Sequence, residues 1–239
     1  VTRSEMPTMD VVVFGLGRLS QLAAYVLAHD SPWRPVAFTV HERFASAGAL
    51  AGLPVAAFER LEQTHPPERC ALIVPLGWRH MGGLRADVVR QRRAKGYRCA
   101  SYVSSRALTW PDLDHGDNCM IYEGTVVQPY TRLDEGCIVR AGVTLSHDVV
   151  VGAYSFVAAG AVVGGRAEIG EHCVVGLGST VCTGVRVAPR CFIVAGAVVT
   201  ADTLPDGVYR GNPARRSPTA RRASTASTTR AGRTPRCDG

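Results

Sequence analysis

From Ile121 onward a large aliphatic residue returns at every sixth position. The series is Ile121, Val127, Leu133, Val139, Leu145, Val151, Val157, Val163, Ile169, Val175, Val181, Val187, Ile193 and Val199. Four residues after each stands a small residue or a valine, from Thr125 and Cys137 through Ala161 and Cys173 to Thr203. Glycines cluster just behind the aliphatic position, as in "VGAYSF" and "IGEHCV". An α-helix repeats every 3.6 residues and tolerates neither this much Gly nor this much Val. A short strand followed by a tight turn produces a period of six. Three such sides close one coil. The aliphatic residue then fills the interior, the small residue sits near the corner, and Gly permits the turn. Fourteen units predict about 4.7 coils and, at ~4.8 Å per strand, a prism about 22 Å tall.

The first hundred residues follow another rhythm. Val11–Phe14 reads as a buried strand, Gly15-Leu16-Gly17 as a turn, and the stretch from about Leu19 to His29 as a helix. "PVAFTV" and "CALIVPLG" read as two more strands, and "GGLRADVVRQRRAKGY" as a helix. Strands alternating with helices predict a small parallel α/β domain over 1–100. Its Gly turn aims backbone N–H groups and a helix N-terminus at one point, an arrangement suited to phosphate. Gly15 and Gly17, with Arg18 beside them, are therefore candidate substrate contacts. Ser20 holds the place of the third glycine in a dinucleotide fingerprint, and about a hundred residues supply only half of a dinucleotide fold, so NAD binding is not expected.

Charge changes the picture less than its total suggests. The formal net charge is +7, but the seven Arg and one Asp after Ala214 carry +6 of it. The rest is nearly neutral, which argues against nucleic acid as a partner. The Ser/Thr/Arg-rich stretch 217–239 lacks apolar periodicity and is expected to be disordered. No apolar run is long enough to span a membrane, and "VTRSEMPTMD" lacks the apolar core of a secretory signal. A cytoplasmic location is the expectation. The eight cysteines include no C-x-x-C pair, so reduced thiols and no metal are expected. Cys119, Cys137, Cys173 and Cys191 share the small inward phase and read as packing residues.

The repeat, with "GNPARR" at 211–216, resembles the hexapeptide-repeat acyltransferases. That resemblance implies a left-handed parallel β-helix over 107–204, a C-terminal segment 205–216, a homotrimer, and acetyl-CoA as acyl donor. A half-sized α/β domain ahead of such a β-helix resembles the bacterial sugar acyltransferases related to sialic acid O-acetyltransferase and to the nucleotide-linked amino-sugar N-acetyltransferases. In that group the N-terminal domain holds the nucleotide of a nucleotide-sugar. Here its loop reads "GLGRLS".

One coil carries a histidine where the others do not. His147 is the second residue after Leu145; the same place elsewhere holds Glu135, Ala141, Ala153, Ala159, Gly165, Glu171 and Leu177. "SHDVVVG" is similar to the family's histidine–acid pair, which makes His147 the implied general base and Asp148 its partner. Removing a proton while an amine or hydroxyl attacks a thioester suits imidazole at neutral pH. Gly165 lies one coil further on and is implied to offer its amide to the thioester oxygen. The resemblance extends the CoA side to Phe156, Ala195, Arg190 and Arg215; some family members carry a second histidine where Phe156 stands. Arg166, Arg186 and Arg210 are further candidates for CoA phosphates. His172 reads as a solvated turn residue. Two other readings remain, a hexapeptide-fold zinc carbonic anhydrase, which needs three His, and a non-catalytic trimeric scaffold.

Overall fold

A computed structural model describes residues 9–45 and 48–218. The expected disordered stretch lies, from residue 219 on, outside the described residues.

The N-terminal domain is a six-stranded sheet. Its strands are β1 (Met9–Phe14), β2 (Trp33–Val40), β3 (Ala49–Leu50), β4 (Leu53–Ala57), β5 (Cys70–Ile73) and β6 (Arg98–Cys99), in the order β3-β4-β2-β1-β5-β6. All pairings are parallel except β3 with β4. β1 is apolar along its length because both its faces are covered. Val11 and Val13 pack with Ala23 and Leu27 of α1 (Arg18–Asp30), whereas Val12 and Phe14 pack with Val88 and Val89 of α3 (Gly83–Ala94). The short helix α2 (Leu61–Thr64) contributes Leu61 to the second layer. β3, β4 and β6 escape the sequence pattern. They are short, β4 contains Pro54, and they exist because neighbouring strands offer them hydrogen bonds.

The second domain is a left-handed parallel β-helix of hexapeptide repeats. It has three faces. The first carries the strands at Val126, Thr144, Val162, Thr180 and Val198; the second those at Asp114, Arg132, Val150, Glu168 and Arg186. The third carries Tyr102, Met120, Ile138, Phe156, Val174 and Phe192, then Val208–Arg210, with Arg215–Arg216 folding back antiparallel. Each strand pairs with the one eighteen residues on, as Leu145 does with Val163 and Val163 with Val181, except at the end of the third face, where Phe192 pairs with Val208. All fourteen six-spaced residues are 2 % exposed or less, and the small partners are buried too. Cys119, Cys137, Cys173 and Cys191 point inward, and the seven described cysteines are all free. Pairing starts at Tyr102–Val103, ahead of the expected 107, because these residues lie under Met120–Ile121.

The third face is where the two domains meet. Tyr102, Met120, Tyr122, Ile138 and Phe156 share one buried cluster with α1 and β1. Arg85 of α3 reinforces the joint. It is fully buried and donates to the carbonyls of Leu76, Gly77, Gly136, Tyr154 and Ser155. Burial pushes its guanidinium down to about 10, so it stays charged at neutral pH. Among the described residues no helix is long and apolar enough to cross a membrane.

Candidate active site

His147 and Asp148 stand at the corner between the first and second faces. Asp148 adopts a left-handed backbone (φ 58°), which a short polar side chain tolerates. This turn swings its carboxylate beside the ring, and His147 Nδ1 lies 2.7 Å from Asp148 Oδ2. A carboxylate accepts, so Nδ1 carries a proton, and in the neutral ring Nε2 keeps its lone pair. The His147 N–H donates to Gln128 Oε1 at 3.0 Å, and the Arg166 N–H donates to the His147 carbonyl at 2.9 Å. The backbone of His147 is thus held from below and above, and its ring from beside. The ring stays about half exposed, 53 % against 49 % for Asp148, and so is open to a substrate.

Gly165 lies one coil above. A Cβ built on it would fall 2.6 Å from His147 Nε2, closer than real atoms approach. Only glycine leaves the imidazole in place. Its own N–H makes no hydrogen bond among the described residues, a property shared by other amides of this corner phase. The corner therefore sets a basic nitrogen beside an unused N–H donor, the pair that acyl transfer needs. Gly165→Ala is expected to push the imidazole aside and lower turnover at least tenfold or so while the melting temperature stays close to wild type; an active-site shift near 1 Å is enough for a loss of that size. Wild-type turnover in Gly165→Ala would remove this corner from the mechanism.

The other candidates are not gathered here within one chain. Arg166 stands exposed on the same corner, one coil above Asp148. Arg190 lies on the corner between the second and third faces, and its guanidinium grips Asp206 through two bonds of 2.7 and 2.8 Å. Arg186 sits 3.5 Å from Glu168. Ala195 lies on the corner between the third and first faces, and Arg215 on the exposed final strand. Phe156, expected beside the acyl donor, is 7 % exposed and packs into the domain joint. The N-terminal domain covers the face from which its ring projects, so it faces α1 and not a cofactor. His172 is also corrected. Its ring stacks on Tyr154 at 5.4 Å and its Nδ1 donates to the Met81 carbonyl at 2.9 Å, because the loop before α3 folds over that corner.

The α/β domain offers a second concave place. Its strand order reverses between β1 and β5, where open α/β sheets receive ligands. Gly15 (φ 96°) ends β1, and a Cβ there would strike Ser20 Oγ at 2.7 Å. That hydroxyl donates to the Phe14 carbonyl at 3.0 Å, so Ser20 braces the turn from the third-glycine position. Gly17 caps α1 without a side-chain bond and has no atom within 4 Å of an added Cβ, which leaves the helix N-terminus open. Arg18 is exposed beside it. This place adjoins the third face, whereas His147 projects from the corner between the other two.

Sequence reading missed two polar groups. Arg85 gave no signal, since its partners are carbonyls distant in sequence. His115 did give one: it lies six residues before Ile121, in the inward phase. Its bond to the Cys119 thiol raises its imidazole, while bonds from Cys137 and then His115 lower that thiol. This spot lies in the first coil on the second face, two strands below Val150–Val151, the strand that follows the His147 corner.

No family model matches the chain, and no curated protein sequence matches it. Solved structures do. The acetyltransferase domain of PglB from Neisseria gonorrhoeae superposes with a TM-score of 0.79 at 23 % identity, covering 88 % of this chain and 100 % of that one. PerB from Caulobacter crescentus, solved with CoA and GDP-perosamine, gives 0.76 at 22 % identity, with 87 % and 97 % covered. WeeI from Acinetobacter baumannii gives 0.51 at 15 %, with 88 % and 100 % covered. The fold is that of the hexapeptide-repeat sugar acetyltransferases. The likeness spans both domains, so the α/β unit is part of the shared architecture and not an addition to it. The PglB domain has also been solved with acetyl coenzyme A.

Proposed function

We propose that this chain transfers an acetyl group from acetyl-CoA to an amine or hydroxyl of a nucleotide-linked amino-sugar. The observation that carries the reading is the His147–Asp148 pair beneath Gly165. His147 Nε2 takes the proton as the acceptor attacks the thioester carbonyl. Asp148 holds the ring and stabilises the imidazolium. The Gly165 N–H donates to the oxyanion. When the intermediate collapses, the C–S bond breaks, and the CoA sulfur leaves with the proton returned by His147. The amide or ester is the other product, so atoms and charge balance. The PglB and PerB structures with their acetyl-CoA, CoA and GDP-perosamine support the donor and the acceptor class.

We further propose a homotrimer, located in the cytoplasm. The outward positions of the first face are Val126, Gln128, Thr144, Ser146, Val162, Gly164, Thr180, Cys182, Val198 and Thr200, with no charge among them. The second face, by contrast, displays Arg132, Glu168 and Arg186. An uncharged face with an exposed Val162 suits burial against a second copy. Neighbouring copies would also bring the cations of different corners toward one His147. The free cysteines fit a reducing compartment.

The zinc reading has less support. His147 and His172 occupy different corners, and His172 is engaged with Met81. The test is direct: acetyl-CoA is incubated with UDP-, GDP- and dTDP-linked amino-sugars, following release of CoA thiol and an acetyl mass gain on the sugar. Transfer to at least one of them is expected. No thiol release with any acceptor, by a protein that binds acetyl-CoA, would return the scaffold reading.

A further inference from the structure

The loop between β5 and α3 carries three consecutive left-handed residues, His80 (φ 53°), Met81 (φ 53°) and Gly82 (φ 76°). Two of the three are not glycine, and a side chain strains such a backbone. The conformation persists because the surroundings dictate it. His172 reaches across from the β-helix to the Met81 carbonyl. Gly82 abuts the Tyr154 carbonyl so tightly that a Cβ would lie 2.4 Å from it. Arg85 gathers the Leu76 and Gly77 carbonyls and ties them to those of Gly136, Tyr154 and Ser155.

Domain docking alone does not account for this effort. The loop leaves its one large aromatic side chain outside the joint. Trp78 is 43 % exposed and makes a T-shaped contact with Phe192 of the third face (centroids 5.5 Å, 71°). The loop also borders the strand-order reversal. Leu76 lies 3.1 Å from a Cβ built on Gly15, and Leu19 lies 3.0 Å from one built on Gly77. Trp78 thus stands at the rim of the crevice whose floor is the Gly15–Gly17 turn.

We infer that Trp78 is a contact for the nucleotide of the acceptor, and that Arg85 and His172 are positioning residues that hold its loop from the β-helix. An indole face on one side and an open helix N-terminus on the other suit a base and a diphosphate respectively. The inference rests on the nucleotide-sugar reading above.

The full chain is titrated with GDP, UDP and dTDP by calorimetry, with acetyl-CoA as the parallel ligand, and tryptophan emission is recorded. Wild type is expected to bind at least one nucleoside diphosphate with a change in emission. Trp78→Ala weakens that nucleotide roughly tenfold or more, the usual loss of a base-stacking aromatic, and leaves acetyl-CoA affinity unchanged. Trp78→Phe retains most of the affinity and loses the emission change. His172→Phe keeps a ring on Tyr154 but removes the donor; it weakens the nucleotide by about fivefold, the usual worth of one hydrogen bond, again without moving acetyl-CoA. His172→Asn, which keeps a donor and accepts a left-handed backbone, restores binding. A wild-type protein that binds acetyl-CoA but no nucleoside diphosphate overturns the inference together with the nucleotide-sugar reading. Unchanged nucleotide affinity in Trp78→Ala overturns the inference alone. Equal loss of nucleotide and acetyl-CoA in His172→Phe would mean a general structural role and also defeats it.

Discussion

His147→Ala lowers turnover by roughly 10²–10⁴, the worth of a positioned general base, and leaves the fold intact. Alanine already fills the equivalent place at Ala141 and Ala153, and the His147 side chain is half exposed, so the core does not need it. Acetyl-CoA affinity and melting temperature should match wild type. Asp148→Asn is expected to lose less, because it removes the charge that stabilises the imidazolium but can still accept a bond from Nδ1. The pH profile supplies a second readout. A base works only when unprotonated, so a limb of wild-type kcat/KM that rises with pH should depend on His147. That limb should be missing in His147→Ala. Wild-type turnover in the variant, or a surviving limb, would place the base elsewhere.

Val163→Asp is expected to abolish the folded β-helix. Val163 is fully buried and paired between Leu145 and Val181, so the carboxylate would have no water and no partner. Burying an unpaired polar or charged group costs several kcal/mol, a large part of the roughly 5–15 kcal/mol that holds a domain together. Arg166→Asp, three residues on, should change stability by no more than about 0.5 kcal/mol, as an exposed surface substitution does. Its backbone is left-handed (φ 60°), a conformation Asp accepts. Urea melts of the two variants decide the matter. Equal tolerance would mean that the inward and outward phases are exchanged.

Much of the β-helix was legible because a six-residue period converts directly into geometry. Once three units close a coil, residues eighteen apart must stack. That alone sets Gly165 over His147, and the structure has an added Cβ on Gly165 colliding with Nε2. The inward cysteines followed from the same phase. The phase was carried too short a distance upstream. Continued two units before Ile121, it reaches His115 and then Thr109, and the coil indeed begins at Tyr102. In the α/β domain the long apolar strands were readable, whereas the short strands Ala49–Leu50 and Arg98–Cys99 have no pattern of their own.

The sequence by itself determined the period, the inward residues, the glycine-permitted turns, and the histidine–aspartate pair on one coil. These depend on residues that are neighbours in the chain or one fixed repeat apart. Only the tertiary structure decided which face the α/β domain covers, and with it the fate of Phe156, His172 and Arg85. The family resemblance implies a site role for Phe156, but α1 lies over it. His172 looks like a free turn residue, but Met81 reaches it from 91 positions away. Arg190 looks like an unpaired cation, but Asp206 lies close enough to hold it. The outcomes for Phe156 and His172 rest on two surfaces fitting together that are far apart in the chain, whereas Asp206 lies sixteen residues from Arg190 within the β-helix. No local rule of spacing encodes that fit, because it depends on shape and on hydrogen-bond partners that exist only once both domains have formed.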